Sequence, residues 1–300
     1  MTGPRARRPA ELWPAGDPRY RVRHVSVDGA SIRVVERGDP GSAPAVLVPG
    51  WACSAYVFHA NVGAVLASGH RVVIVEPRGL GASSKPRARG DYAASALVRH
   101  LLAALDALAL DRVALVGLSM GGGLTLRLAL AAPERVTRLV LFDPAGIGRI
   151  PLAALGRLPA AGALARLLAR LPSAVHRAIV ALGMWSIYGD ASRVRREDVE
   201  EFRALAELPG YYEAQAAMLR EYDWRPIAPE ALAALRAPTL LVRGTRDRLV
   251  LVRDLEALRR SLPPSVRLLP VDGAGHAANM ECAGEIAGAV ESFLRGAAAG

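Results

Sequence analysis

One short stretch of this chain has the residue types and spacing to present a nucleophile. Gly117-Leu118-Ser119-Met120-Gly121 follows the β-branched run Val113 to Val116 and leads into an apolar run that opens at Leu124. A serine held between a strand and a helix sits on a turn so sharp that its flanking side chains must be small, which accounts for glycine at 117 and 121. The same turn lifts the hydroxyl above the sheet edge at a helix N-terminus, where negative charge is favoured. A serine hydroxyl is a weak nucleophile near neutral pH and needs a base, ordinarily a histidine oriented by a carboxylate, with hydrogen-bond donors aimed at the developing oxyanion. The available histidines are His24, His59, His70, His100, His176 and His276. Such acyl transfer calls for no metal and no cofactor. Cys53 and Cys282 are too few for a disulfide framework, and Cys53 has no base placed for it, so a small buried side chain is its expected role.

Holding that serine takes a sheet and helices, and the chain supplies the pattern for both. Eight apolar, β-branched runs are expected as strands: Val22 to Val27, Ile32 to Val35, Ala45 to Val48, Val72 to Val75, Val113 to Val116, Leu139 to Phe142, Leu240 to Val242 and Val266 to Val271. The first two, joined by Asp28-Gly29, read as a hairpin. Helical spacing covers Tyr92 to Leu108, Gly122 to Ala132, Leu251 to Leu262 and Ile286 to Leu294. Alternation of strand and helix predicts right-handed crossovers and a mostly parallel sheet, an α/β fold. Residues 146–229 break the alternation with helical spacing alone and are expected to be an inserted helical cap; residues 21–145 and 230–298 form the body, and the Arg- and Pro-rich residues 1–20 a loose arm. Within the cap, Leu155, Leu158, Leu164, Leu167, Leu168 and Leu171 recur at intervals of three or four, with Arg157, Arg166 and Arg170 interleaved. A helix packed on the body is the expected reading, and a lid that also touches lipid the alternative.

With these residues in place, the chain resembles the α/β-hydrolase fold superfamily from about residue 21 to 298. The resemblance implies a mostly parallel eight-stranded sheet flanked by helices, and a triad in the order serine, acid, histidine. Ser119 would be the nucleophile. His276, in Val271-Asp272-Gly273-Ala274-Gly275-His276 just past the last strand, stands where the family carries its base. Asp247, in Leu240-Leu241-Val242-Arg243-Gly244-Thr245-Arg246-Asp247, matches the family's strand, glycine turn and aspartate. Asp143, after the strand at 139–142, competes with it, and Asp272 fits a local turn hydrogen bond. The family's oxyanion loop corresponds to Val48-Pro49-Gly50-Trp51, so the backbone N–H groups of Trp51 and Met120 are the expected donors. Pro49 replaces the family's usual histidine but removes neither donor. Glu76-Pro77-Arg78-Gly79-Leu80-Gly81-Ala82-Ser83 resembles a structural family loop with Glu76 in place of aspartate, and Glu281 matches a recurring glutamate expected to help start the final helix.

The reaction this implies is carboxylic ester hydrolysis through an acyl-enzyme. Serine at the nucleophile position argues against the aspartate-dependent haloalkane dehalogenases and epoxide hydrolases. C–C bond hydrolases and cofactor-free perhydrolases or haloperoxidases of the same fold stay open, as does a non-catalytic small-molecule receptor. Trp51, Met184, Trp185 and Tyr188 are the expected substrate contacts, lining an apolar pocket for small to medium uncharged esters. Lys+Arg 38 against Asp+Glu 28 leaves +10, but Lys85 is the only lysine and the arginines are read as dispersed, so nucleic acid is not an expected partner. No run of about 20 apolar residues is present, and no apolar segment follows Arg5, Arg7 and Arg8. A cytoplasmic protein without stable membrane insertion is expected; oligomeric state and the removal of a leader stay open.

Overall fold

Strands form where the β-branched runs lie. They are β1 Arg21–Val27, β2 Ala30–Arg37, β3 Pro44–Val48, β4 Arg71–Val75, β5 Val113–Leu118, β6 Val136–Phe142, β7 Thr239–Gly244 and β8 Val266–Val271. The structure, a computed structural model, describes residues 11–252 and 254–296. All eight strands join one sheet in the order β1-β2-β4-β3-β5-β6-β7-β8. Only β2 runs antiparallel to its neighbours, pairing Val27 with Ala30 across the hairpin and Val34 with Val75 on its other side. Asp28 and Gly29 both hold positive φ in that turn, which suits the twist of a two-residue hairpin.

The helices are α1 Val62–Ala67, α2 Ala94–Ala107, α3 Met120–Ala131, α4 Ala161–Leu168, α5 Ser173–Ile187, α6 Arg196–Ala206, α7 Tyr211–Glu221, α8 Pro229–Ala233, α9 Leu255–Ser261, α10 Ala278–Glu281 and α11 Ala283–Arg295. Successive strand residues point to opposite faces, so each central strand feeds two cores. Val46 and Val48 of β3 pack with Leu97 and Leu101 of α2 and Leu124 of α3, whereas Ala45 and Leu47 pack with Val65 of α1 and Val290 of α11. Burial on both faces explains why β3 to β7 read as apolar runs rather than as alternating ones. β8 is an edge strand and tolerates Pro270 for that reason.

Between β6 and β7 the chain leaves the sheet and is purely helical from the 3-10 turn Pro151–Arg157 to α8. Two expectations change here. The leucines at 155, 158, 164 and 167 do not pack on the body, since all four are exposed; Ala165 is the one fully buried residue of α4. Nor are residues 11–20 a loose arm. Leu12 is 1% exposed among Ala204, Leu205 and Leu208 of the insertion, and Arg33 donates to the Trp13 carbonyl at 2.7 Å. Neither could be read from composition, because each depends on a surface the segment meets only after folding. Residues 1–10 of the expected arm, and 297 and 298 of the expected body, lie outside the described residues. Among the described residues no helix is long and apolar enough to cross a membrane.

Candidate active site

β3, β5, β6, β7 and β8 are parallel and in register, so their C-terminal ends share one edge. Val48 pairs with Gly117, Leu118 with Phe142, Phe142 with Val242, and Gly244 with Val271. Trp51, Ser119, Asp143, Asp247 and His276 each follow one of these ends, so five segments distant in sequence deliver their polar residues to one rim. The strand order reverses between β3 and β5, and it is outside the carboxyl ends at such a switch point that open α/β sheets form their crevice.

Ser119 occupies a strained conformation, φ 52° and ψ −118°, between β5 and α3. Positive φ is costly for a residue with a Cβ and persists only where the surroundings enforce it. Its N–H donates to the Phe142 carbonyl at 2.9 Å and its carbonyl accepts from Gly123 and Ala145. The flanking glycines are required as expected: a Cβ at 121 would run into the Val48 and Pro49 carbonyl oxygens, and one at 117 would strike Gly122 and Thr125. Met120 N–H, the first of α3, has no carbonyl behind it in the helix and is free to meet an oxyanion.

His276 is 5% exposed, and its Nδ1 lies 3.0 Å from Asp247 Oδ2. Asp247 accepts four hydrogen bonds: Oδ1 from the N–H groups of Leu249 (2.7 Å) and Val250 (3.0 Å), and Oδ2 from His276 and from Arg243 Nη1 (2.7 Å). Burial pushes this carboxyl up, but His276, the Arg243 guanidinium and the N–H donors outweigh it and hold Asp247 at about 2. Asp143 takes a different position. It is fully buried at φ 41°, and its Oδ1 accepts from Arg243 Nη1 at 2.9 Å and Gly244 N–H at 3.1 Å. Burial first, and then the Asp247 charge, raise it well above the usual carboxylate range. His276 therefore has Asp247 as its carboxylate partner. Cys53 is no rival nucleophile, because loss of hydration pushes its thiol up to about 12.

Two residues, Gln215 and Glu281, tie the insertion to this rim, and their roles differ from the sequence expectation or had none. Gln215, buried in α7, belongs to no motif of the sequence. Its Oε1 accepts from Ala52 N–H at 3.0 Å, its Nε2 donates to the Gly79 carbonyl at 3.0 Å, and its own carbonyl accepts from Trp51 Nε1 at 3.1 Å. Ala52 sits at φ 63°, and Tyr211 Oη donates to its carbonyl, so α7 grips the loop that carries Trp51. Glu281 does more than start a helix: it accepts from Gly189 (3.0 Å), Asp190 (2.8 Å) and Gly275 (2.8 Å), joining the end of α5 to the His276 loop. Glu76 is fully buried and accepts from Arg33 Nη1, Ala55 N–H and Ala82 N–H, each at 2.8 Å.

The expected substrate contacts separate. Met184 and Tyr188 are buried beside Ala277, next to His276, and His276 N–H donates to the Ile187 carbonyl at 2.7 Å. Trp51 is half-buried against the core. Trp185 turns away: it is 54% exposed on the outer stripe of α5, because a residue next to the buried Met184 lies about 100° around the helix.

The family model described as the alpha/beta hydrolase fold matches residues 44–283. A 2-hydroxymuconate semialdehyde hydrolase of Pseudomonas sp. (strain CF600) is 31% identical over 240 residues, covering 76% of this chain and 78% of that protein. Among solved structures, carboxylesterase CesB from Bacillus subtilis superposes with a TM-score of 0.72 at 22% identity, covering 97% of this chain and 95% of that one. The enol-lactonase from Burkholderia xenovorans LB400 gives 0.70 at 23%, covering 91% and 99%.

Proposed function

Since the chain belongs to the α/β-hydrolase fold family, we propose that it is a serine hydrolase of carboxylic esters, with Ser119 as nucleophile, His276 as base and Asp247 as the carboxylate that orients it. The observation that carries this reading is the 3.0 Å contact between His276 Nδ1 and Asp247 Oδ2, made at the same rim as a strained serine elbow. With Nδ1–H donated to Asp247, Nε2 is left unprotonated to accept the Ser119 proton as Oγ attacks the acyl carbon. The N–H groups of Trp51 and Met120 then receive the tetrahedral oxyanion, and the imidazolium, facing an ionised Asp247, protonates the departing alcohol. Water completes the cycle by the same steps in reverse order. In this reading residues 146–229 form a cap over the rim, with Met184 and Tyr188 toward the acyl side and Trp185 removed from it.

A second reading is supported by the relative at 31% identity. A hydroxymuconate semialdehyde contains no ester, so its hydrolysis must break a carbon–carbon bond, and the same serine, histidine and donors suit an enol-ketone cleaved in that way. One experiment separates the readings. A fluorophosphonate probe should label Ser119 and leave Ser119→Ala unlabelled, while short p-nitrophenyl esters and a 2-hydroxy-6-oxo-dienoate are turned over side by side. Faster turnover of the dienoate would favour the second reading; no adduct and no turnover of either substrate would overturn both.

A further inference from the structure

The exposed apolar surface of this protein is concentrated rather than scattered. Eight of the ten large apolar side chains that stand exposed among the described residues fall between residues 155 and 185. In α5 the inward stripe is His176, Val180, Met184 and Ile187, which packs on α6 and the His276 loop. The outward stripe, Val175, Ile179, Leu182 and Trp185, recurs at helical spacing and is apolar too, with Leu182 67% exposed. A helix that is apolar all round is normally buried on both sides, yet this one has a partner on one side only. α4 behaves alike, with Leu164 and Leu167 outward and Ala165 inward.

The charge on this segment is one-sided. No aspartate or glutamate stands between Asp143 and Asp190, while Arg149, Arg157, Arg166, Arg170 and Arg177 do. Arg177 is paired with Glu200 at 2.7 Å; Arg157, Arg166 and Arg170 are exposed and have no carboxylate partner among the described residues. Arginine is no denser here than in the rest of the chain; what sets the segment apart is that no acidic residue stands among its arginines. Exposed leucine, isoleucine and tryptophan on a segment that also carries unpaired arginine and no acidic residue is the composition of a surface that lies in the boundary of an anionic bilayer, the side chains entering the acyl region and the guanidinium groups meeting phosphate. A two-fold contact with a second copy would set the same arginines face to face with no carboxylate between them. At 15 residues, or about 22 Å, α5 is too short to span a bilayer and would lie along it.

We propose that the α4–α5 segment of the helical insertion docks on an anionic lipid surface, through its exposed leucines, Ile179 and Trp185 together with Arg157, Arg166 and Arg170. The full chain should co-sediment with vesicles of phosphatidylcholine and phosphatidylglycerol mixed at about 2:1, and should bind pure phosphatidylcholine at least tenfold less well. Binding should weaken as salt rises from about 0.1 M to 1 M, where the screening length shrinks from about 10 Å to 3 Å. Leu167→Asp with Leu182→Asp, and separately Arg166→Glu with Arg170→Glu, should each lower binding at least tenfold with unchanged circular dichroism. Absence of sedimentation with anionic vesicles would overturn the proposal. So would a concentration-dependent dimer in ultracentrifugation that the leucine substitutions abolish, since the face would then cover a second copy. Ser119→Ala should bind vesicles as the native chain does, so lipid docking and hydrolysis stand or fall separately.

Discussion

Asp247 Oδ2 receives both His276 Nδ1 and Arg243 Nη1, so one oxygen orients the imidazole while a guanidinium helps keep the carboxylate ionised. Replacing it by asparagine preserves the shape but presents an amide, which favours the wrong imidazole tautomer; kcat should fall by about 10³- to 10⁴-fold with a smaller change in KM. Asp143→Asn should keep most activity, because the Asp143 oxygen bonded by Gly244 N–H and Arg243 is an acceptor that an amide oxygen can replace. The two carboxyls also make opposite contributions to acid stability. Asp247 ionises near 3.8 when unfolded and at about 2 when folded, so its contribution, on the order of 2 kcal/mol, is complete above 3.8 and is lost as pH falls toward 2. Asp143 is raised, so its contribution is intact below 3.8 and is lost as pH rises toward its folded value. Thermal melts should show Asp143→Asn gaining on the native chain as pH climbs from about 4 to 7; a gap independent of pH would contradict this.

The serine elbow, α7 and the loop at Trp51 work as interlocked elements. Gly121→Ala drives a Cβ into two carbonyl oxygens of the β3 exit, so denaturant melts should show a loss of about 1–3 kcal/mol or more, with hydrolysis falling further because the elbow and the Trp51 loop are forced apart. Gln215→Ala strips the left-handed Ala52 of its N–H partner and leaves buried groups unpaired, for about 1–3 kcal/mol of stability. If the Trp51 N–H is an oxyanion donor, the same change should lower kcat more than KM in ester hydrolysis. The elbow was legible in the sequence because its strand, glycines and helix are adjacent, and its sterics are local. Gln215 gave no such signal: a polar residue in a helix looks solvated until the fold sets a backbone 163 residues away against it.

At the scale of the molecule, the helical insertion is fastened to the body at chemically distinct points. Glu281 accepts three N–H groups that belong to both sides, and Leu12 packs in one cluster with the α6 end and with Ala52 and Ala82 of the body's loops. Glu281→Ala should lower stability by about 3 kcal/mol and, in hydrogen exchange, release the 187–190 and 273–276 segments together ahead of the sheet. The residues alone determined the eight strands, the inserted helices, the serine elbow and the polar residues that follow the strand ends, because strand and helix periods and turn sterics act over a few residues. Only the tertiary structure decided which aspartate His276 bonds, that Glu281 and Gln215 clamp the insertion, that Trp185 and the α4 leucines face outward, and that Arg157, Arg166 and Arg170 stand exposed without a carboxylate partner among the described residues. Those outcomes depend on which distant segments share a surface, and a linear pattern does not encode which of its two faces will find a partner.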